Sequence, residues 1–213
     1  MGTSKALLEW HGSTLVRHTV DILRGCVDGP VIVVRAPGQE LPPLPPDVQI
    51  VEDASPGAGP LDAFATGLAA ADGHADHAIV CGVDMPFLTP AFAAVLIDSL
   101  LEGIDIVLPA AQGRRHPLPA VVRVAMHPIA RALVDGGHRA LFALVDRCNT
   151  ADVDEARLRT VDPTLASLRN LNERSAYETA RAEPVHAAPT SMRSVYADSG
   201  AHEAQETRVR GSA

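Results

Sequence analysis

At 213 residues the chain can bury one sizeable core and is short for two full domains. Its net charge of −8, with no basic block, excludes nucleic-acid binding driven by phosphate contacts, and no apolar run is long enough to cross a bilayer. Aromatic residues make up only 3%, so the core must be aliphatic, and Cys26, Cys81 and Cys148 lie far apart without a C-x-x-C pair, which argues against a disulfide framework or a zinc site.

The first stretch, Met1 to Lys5, carries no signal-peptide hydrophobic region, so a soluble, reduced, cytoplasmic protein is the expectation. Residues 5–10 are short and apolar and lead into a turn at His11-Gly12. Leu15, Val16, Val20, Ile22 and Leu23 recur at helical spacing, with Ser13 or Thr14 to cap the start and Gly25 past the end. Val31 to Val34 and Val48 to Val51 read as short strands, separated by the proline-rich loop Pro37 to Pro46. The second strand ends in Glu52-Asp53. A loop rich in glycine and proline, Ser55 to Leu61, then opens a helix over about 62–71.

Ala78 to Val83 is a short apolar run without helical period, which suits a strand covered on both faces. Asp84 stands where that run stops, and Pro86 prevents the ladder from continuing. Thr89 and Pro90 then cap and open a helix expected over 90–101. Further on, the pattern predicts a strand at 104–108, a basic turn at Gly113 to Leu118, an edge strand at 119–123, and helices over 124–134 and 139–147. Strands near Val153 and at 158–161 precede a last helix at 175–181. Residues 182–213 have the composition of a disordered tail, which leaves one domain over 1–181. Strands alternating with helices imply an α/β sandwich with a mostly parallel sheet.

In such sheets ligands sit outside the carboxyl ends of the strands. An Asp placed there is often only a turn former. It can also hold Mg²⁺, which favours one or two carboxylates together with substrate phosphates.

Several motifs occur in one order: Met1-Gly2-x-x-Lys5, Glu52-Asp53, Pro56-Gly57-Ala58-Gly59-Pro60-Leu61, Asp84-Met85-Pro86-Phe87-Leu88, Arg115-His116-Pro117-Leu118 and Asn170-Leu171-Asn172. Together, over about residues 1–181, they resemble the MobA-like nucleotidyltransferases. The resemblance implies a Rossmann-like three-layer sandwich of the nucleotide-diphospho-sugar transferase type, Mg²⁺ dependence and release of pyrophosphate. Within that family the match is to members that transfer GMP from GTP to molybdopterin. Lys5 and Asp84 are then the catalytic residues, with Asp84 as the metal ligand. Lys5, Asp53, Gly59, Pro60, Leu61 and Asp84 fall in the nucleotide site. Arg115, His116, Asn170 and Asn172 fall on the side of the second substrate. GTP and molybdopterin are the implied partners, with a molybdoenzyme or its chaperone as recipient of the product; neither nucleic acid nor membrane is implied.

Two departures from the family pattern stand out. The family places a strand and a loop of the form Leu-Ala-Gly-Gly-x-Ser-x-Arg directly before Met-Gly-x-x-Lys, whereas this sequence starts at Met1. A start codon assigned too far downstream is one explanation, and a shortened protein that binds nucleotide without catalysis is another. Either way the first strand of the sheet is expected to be missing, with a central edge exposed. Arg35 stands at a strand end where the guanylyl-transferring members carry Asn. A relative that uses CTP or another phosphorylated acceptor also fits the pattern.

The chemistry needs little else. Nucleotidyl transfer depends on positioning and charge balance, and an ionised phosphate acceptor needs no general base. No Walker lysine motif occurs, and the nine histidines form no H-E-x-x-H.

Overall fold

A computed structural model describes residues 4–53, 57 and 59–183. The tail at 184–213, the first residues Met1 and Gly2, and the loop positions Pro56 and Ala58 lie outside the described residues.

The central sheet is built on β6 (Ile106–Ala111). It pairs with the antiparallel β8 (Ala120–Arg123) on one side and the parallel β9 (Thr150–Asp154) on the other. β5 (His77–Val80) adds outside β8, antiparallel to it, and the two-residue β7 (Arg114–Arg115) forms a hairpin with the end of β6. Because β5 and β6 both run against β8, they run with each other and with β9. Their carboxyl ends therefore share one edge. The expected α/β sheet is present with a parallel component, β6 beside β9, while β8 and β7 pair antiparallel.

The alternation of side chains along β6 and β8 shows why both faces must be covered. Ile106, Leu108, Ala120 and Val122 point to one side, where they pack with Leu61, Phe64 and Leu68 of α2 (Pro60–Ala71), Leu133 of α4 (His127–Asp135) and Leu144 of α5 (Phe142–Val145). Val107 and Val121 point to the other side. They meet Phe92 and Leu96 of α3 (Pro90–Ile97) and Leu158 of α6 (Glu155–Arg159). The result is three layers, helix on sheet on helix.

A second sheet holds only β3 (Ile32–Arg35) and β4 (Gln49–Glu52), which pair in parallel. Among the described residues no strand pairs with the second edge of β3 or of β5. Both edges line one apolar cavity of about 420 Å³, roofed by Val20 of α1 (Leu15–Arg24) and floored by Phe64 and Leu68 of α2. The two strand edges face this cavity between α1 and α2.

Several local expectations change. Residues 158–161 are not a strand: Asp154 caps α6 by accepting the Arg157 N–H at 2.9 Å, and Leu158 is buried on the inner face of that helix. The helix at Pro90 stops at Ile97, and that expected at 139–147 contracts to α5. The helix at 124–134 is a 3-10 turn, Val124–Met126, followed by α4, with Pro128 in the first helical turn where its missing N–H costs nothing.

Asp162 organises the turn after α6. Burial pushes its carboxyl pKa up, but the amides of Ser167 and Ala166 and the Thr164 hydroxyl donate to it and hold it below its ordinary 3.8. A depressed folded-state pKa stabilises the fold above the unfolded value and loses that contribution as pH falls through the folded value. Asp162→Ala is therefore expected to cost about 1–2 kcal/mol at pH 7, with the difference from wild type shrinking as pH falls below the ordinary 3.8. Urea unfolding at pH 7 and pH 3 checks it.

Candidate functional site

Three segments far apart in sequence converge at the carboxyl end of β5. The first is the 3-10 turn Lys5–Leu7, which leads into the hairpin β1 (Glu9–Trp10) and β2 (Ser13–Thr14). His11 and Gly12 form the two-residue turn with φ of 49° and 82°, the left-handed pair that suits a tight hairpin. The second is the loop 81–88, which leaves β5. The third is the extended stretch 169–172 before α7 (Arg174–Arg181).

A small aromatic cluster joins the three. Trp10 and Leu15 from the first, Phe87 from the second, and Leu171 with Tyr177 from the third pack together, and the Tyr177 hydroxyl donates to the Glu9 carbonyl. The protein's one tryptophan is spent here, on buried area that ties loops rather than sheet layers. The loop 81–88 is also held by its backbone. The carbonyls of Asp84, Pro86 and Phe87 accept from the Leu171 amide (2.8 Å), the His18 ring Nε2–H (2.8 Å) and the Ser167 hydroxyl (3.2 Å). Met85 and Leu88 anchor the loop in the core. β5 stops at Val80, short of the strand expected over 78–83, so the carboxylate of Asp84 is carried by a loop fixed on several sides, the arrangement a positioned charge needs.

At the centre, the Lys5 ammonium donates to Asp84 Oδ2 at 2.9 Å and to Asn172 Oδ1 at 2.8 Å. Both charged side chains keep partial solvent access, 31% for Lys5 and 20% for Asp84. Asn170 and Asn172 are exposed while Leu171 between them is buried, so the Asn-x-Asn spacing turns both amides to the same side of an extended chain. Gly82 lies beneath the carboxylate: a Cβ there would come within 2.4 Å of Asp84 Oδ1. Since the colliding atom is the free end of a side chain, Gly82→Ala is expected to leave stability within about 1 kcal/mol of wild type. It should displace the carboxylate and reduce about 10- to 100-fold the transfer activity that the family resemblance implies. Parallel measurement of the thermal midpoint and of pyrophosphate release checks both halves.

The other expected nucleotide residues stand after β4 and at the start of α2. Asp53 directly follows β4, its amide donating to the Arg35 carbonyl at 2.7 Å. Arg35 spans the same strand ends, donating to Glu52 Oε1 at 2.9 Å and to the Gln39 carbonyl at 3.1 Å. Gln39 in turn donates to the Ser4 hydroxyl, which links this loop to the Lys5 turn. Gly59 caps α2 with φ of 95°, a conformation open to glycine, and a Cβ there would lie 2.9 Å from Arg139 Cβ. Pro60 is the exposed first residue of α2. Leu61 is fully buried, and its amide donates to the Arg139 carbonyl, so both its side chain and its N–H face inward.

Arg115 and His116 sit at the end of the β6–β7 hairpin, on the same sheet edge as Asp84 but in a separate group. Arg115 pairs with Asp152 at 2.9 Å. His116 is buried, its ring donating from Nε2 to the Ala111 carbonyl, and burial pushes its pKa down, which keeps the ring neutral. That hydrogen bond turns the ring into the hairpin. The positioning residues His18 and Ser167 carry no sequence signal, because each acts on a backbone carbonyl that only the folded chain brings near.

Among the described residues no group of three or more His, Cys, Asp or Glu could hold a metal by itself. The donor set at the centre is a carboxylate and an amide oxygen, hard oxygen donors that suit Mg²⁺ when water and phosphate complete the shell. Also among the described residues, no helix is long and apolar enough to cross a membrane.

The model of the MobA-like NTP transferase domain matches residues 1–153. The probable molybdenum cofactor guanylyltransferase of Mycobacterium tuberculosis (strain ATCC 25618 / H37Rv) is 44% identical over 150 residues, covering 68% of this chain and 73% of that protein. In fold, the chain is similar to molybdopterin-guanine dinucleotide biosynthesis protein A from Archaeoglobus fulgidus, with a TM-score of 0.69 and 18% identity, over 84% of this chain and 90% of that one. It is also similar to 2-C-methyl-D-erythritol 4-phosphate cytidylyltransferase from Thermus thermophilus, with a TM-score of 0.63 and 20% identity, over 84% and 92%. With more than half its length matched by the family model, this chain belongs to the MobA-like NTP transferases.

Proposed function

We propose that this protein transfers GMP from GTP to the phosphate of molybdopterin, releasing pyrophosphate, with Mg²⁺ held at Asp84 and Asn172. The observation that carries the reading is the convergence of Lys5, Asp84 and Asn172, drawn from both ends of the domain onto the carboxyl edge of the sheet. The similarity to a probable guanylyltransferase supports the choice of donor and acceptor.

In the transfer, an oxygen of the acceptor phosphate attacks the α-phosphorus of GTP, and the bond from that phosphorus to the bridging oxygen of pyrophosphate breaks. A bound Mg²⁺ supplies charge neutralisation between the two phosphorylated reactants. Asp84 is presented by a rigid loop, so its carboxylate needs no reorganisation to face developing charge. Lys5, a point charge on a flexible stem, follows the leaving pyrophosphate. Asp53, Gly59 and Pro60 border the nucleoside, while Arg115 and Asn170 face the acceptor from the neighbouring strand end. A cytoplasmic setting and delivery of the product to a molybdoenzyme or its chaperone belong to the same reading.

A nucleotide panel with molybdopterin and Mg²⁺, read by pyrophosphate release, tests it. GTP should be used at least about 10-fold faster than CTP or ATP. Preference for CTP would move the protein to a different transferase of the family. Binding of GTP in equilibrium dialysis without any turnover would leave a nucleotide-binding protein.

A further inference from the structure

The protein contains 18 lysine and arginine residues, and Lys5 is the one lysine among them. Its ammonium donates at once to Asp84 Oδ2 and Asn172 Oδ1, at 2.9 and 2.8 Å. Those are the two oxygens that the proposed function gives to the divalent cation. A dication and an ammonium cannot both sit between the same pair of oxygens, because their repulsion at that separation far exceeds what either oxygen can screen.

We infer that Lys5 is an exchangeable occupant of the metal seat: in the free enzyme its ammonium fills the place between Asp84 and Asn172, and a divalent cation enters only as Lys5 leaves. The inference rests on the reading of Asp84 and Asn172 as metal ligands. Lysine suits the role. Its charge is compact, its four-carbon stem rotates, and its side chain here keeps a path to solvent. An arginine, with a planar fork and five donors, would hold carboxylate and amide more rigidly. The ion pair is partly exposed, so its hold is modest and exchange is easy.

The exchange has a consequence for order. Released Lys5 is available to the triphosphate, and a triphosphate that holds Lys5 clears the seat. Nucleotide and metal then favour each other through one side chain, and linkage requires that the effect be reciprocal. Asp84 also stays charge-balanced at every stage, which spares the fold an uncompensated carboxylate at a half-buried site.

The test is a Mn²⁺ titration without nucleotide, with free Mn²⁺ read by electron paramagnetic resonance, on wild type, Lys5→Met, Lys5→Arg and Asp84→Asn. Lys5→Met is expected to bind Mn²⁺ about 3- to 10-fold more tightly than wild type, and Lys5→Arg no more tightly. Equal or weaker binding by Lys5→Met overturns the inference. An independent reading needs no lysine variant. Since Lys5 is the sole lysine, its acylation by an amine reagent can be followed by mass spectrometry of one peptide, and saturating Mn²⁺ should speed it several-fold. Unchanged acylation under saturating Mn²⁺ also overturns the exchange. If Asp84→Asn binds Mn²⁺ as tightly as wild type, the metal reading itself fails and takes the inference with it. A failure confined to the lysine experiments leaves that reading standing.

Discussion

Asp84→Ala is expected to lower pyrophosphate release at saturating GTP and acceptor by about 10³-fold, while the thermal midpoint moves by only a few degrees. The two effects separate because the side chain and the backbone of Asp84 do different things. The carboxylate is partly solvated and its ion pair with Lys5 is of the kind that adds at most about 1 kcal/mol to stability. The carbonyl, which receives the Leu171 amide, is untouched by the substitution. Met85, Phe87 and Leu88 continue to anchor the loop. On the proposed function, what is lost is a fixed negative charge at the point where two anionic substrates would meet, and water would not replace a preorganised ligand there. Rate measurements across Mg²⁺ concentrations check the expectation. A fall of less than about 10-fold would remove Asp84 from the chemistry.

Arg131→Met is expected to destabilise the fold by about 3 kcal/mol, a fall in thermal midpoint of roughly 6–12 °C. Asp62 lies in the first turn of α2 with no solvent exposure, and Arg131 of α4 reaches it while also donating to the Thr66 hydroxyl at 3.1 Å. The helix start favours an acid, but a carboxylate kept from water needs its cation as well. Taking the cation away leaves the charge inside. The double variant Asp62→Asn, Arg131→Met should recover at least half of the loss, because the buried charge goes with its partner. Thermal unfolding of the single and double variants checks both numbers. The consequence extends to the proposed nucleotide site, since α2 begins at Pro60, which the proposed function sets beside the nucleoside.

The hydrophobic pattern of the sequence was enough for the layers. The unbroken apolar runs 106–108 and 120–122 dictate a sheet buried on both faces, and Thr89-Pro90 dictates where α3 begins, because a side-chain cap and a fixed φ act over a few residues. The expected strand at 158–161 failed for the same local reason: Leu158 and Val161 fit a helix as well as a strand, and the Asp154 cap decides between them.

The residue types at the site were also legible. An acid at the end of a buried strand, a lysine near the start and paired asparagines near the end carry their chemistry in their identities and order. Their union was not legible. That Lys5 reaches both Asp84 and Asn172 depends on Trp10, Phe87, Leu171 and Tyr177 closing three loops on one another, and on His18 and Ser167 holding the carbonyls of residues 86 and 87. These contacts join positions scores of residues apart, where no periodicity or local propensity operates. The same holds for His116, which the family resemblance set on the second-substrate side and whose ring the folded hairpin takes inside. By itself the sequence determined which segments could be strands, which helices, and which side chains could bear charge at the sheet edge, since local sterics and hydrophobic spacing act along the chain. Only the tertiary structure decided which charges meet, because that is set by packing between segments the chain itself keeps apart.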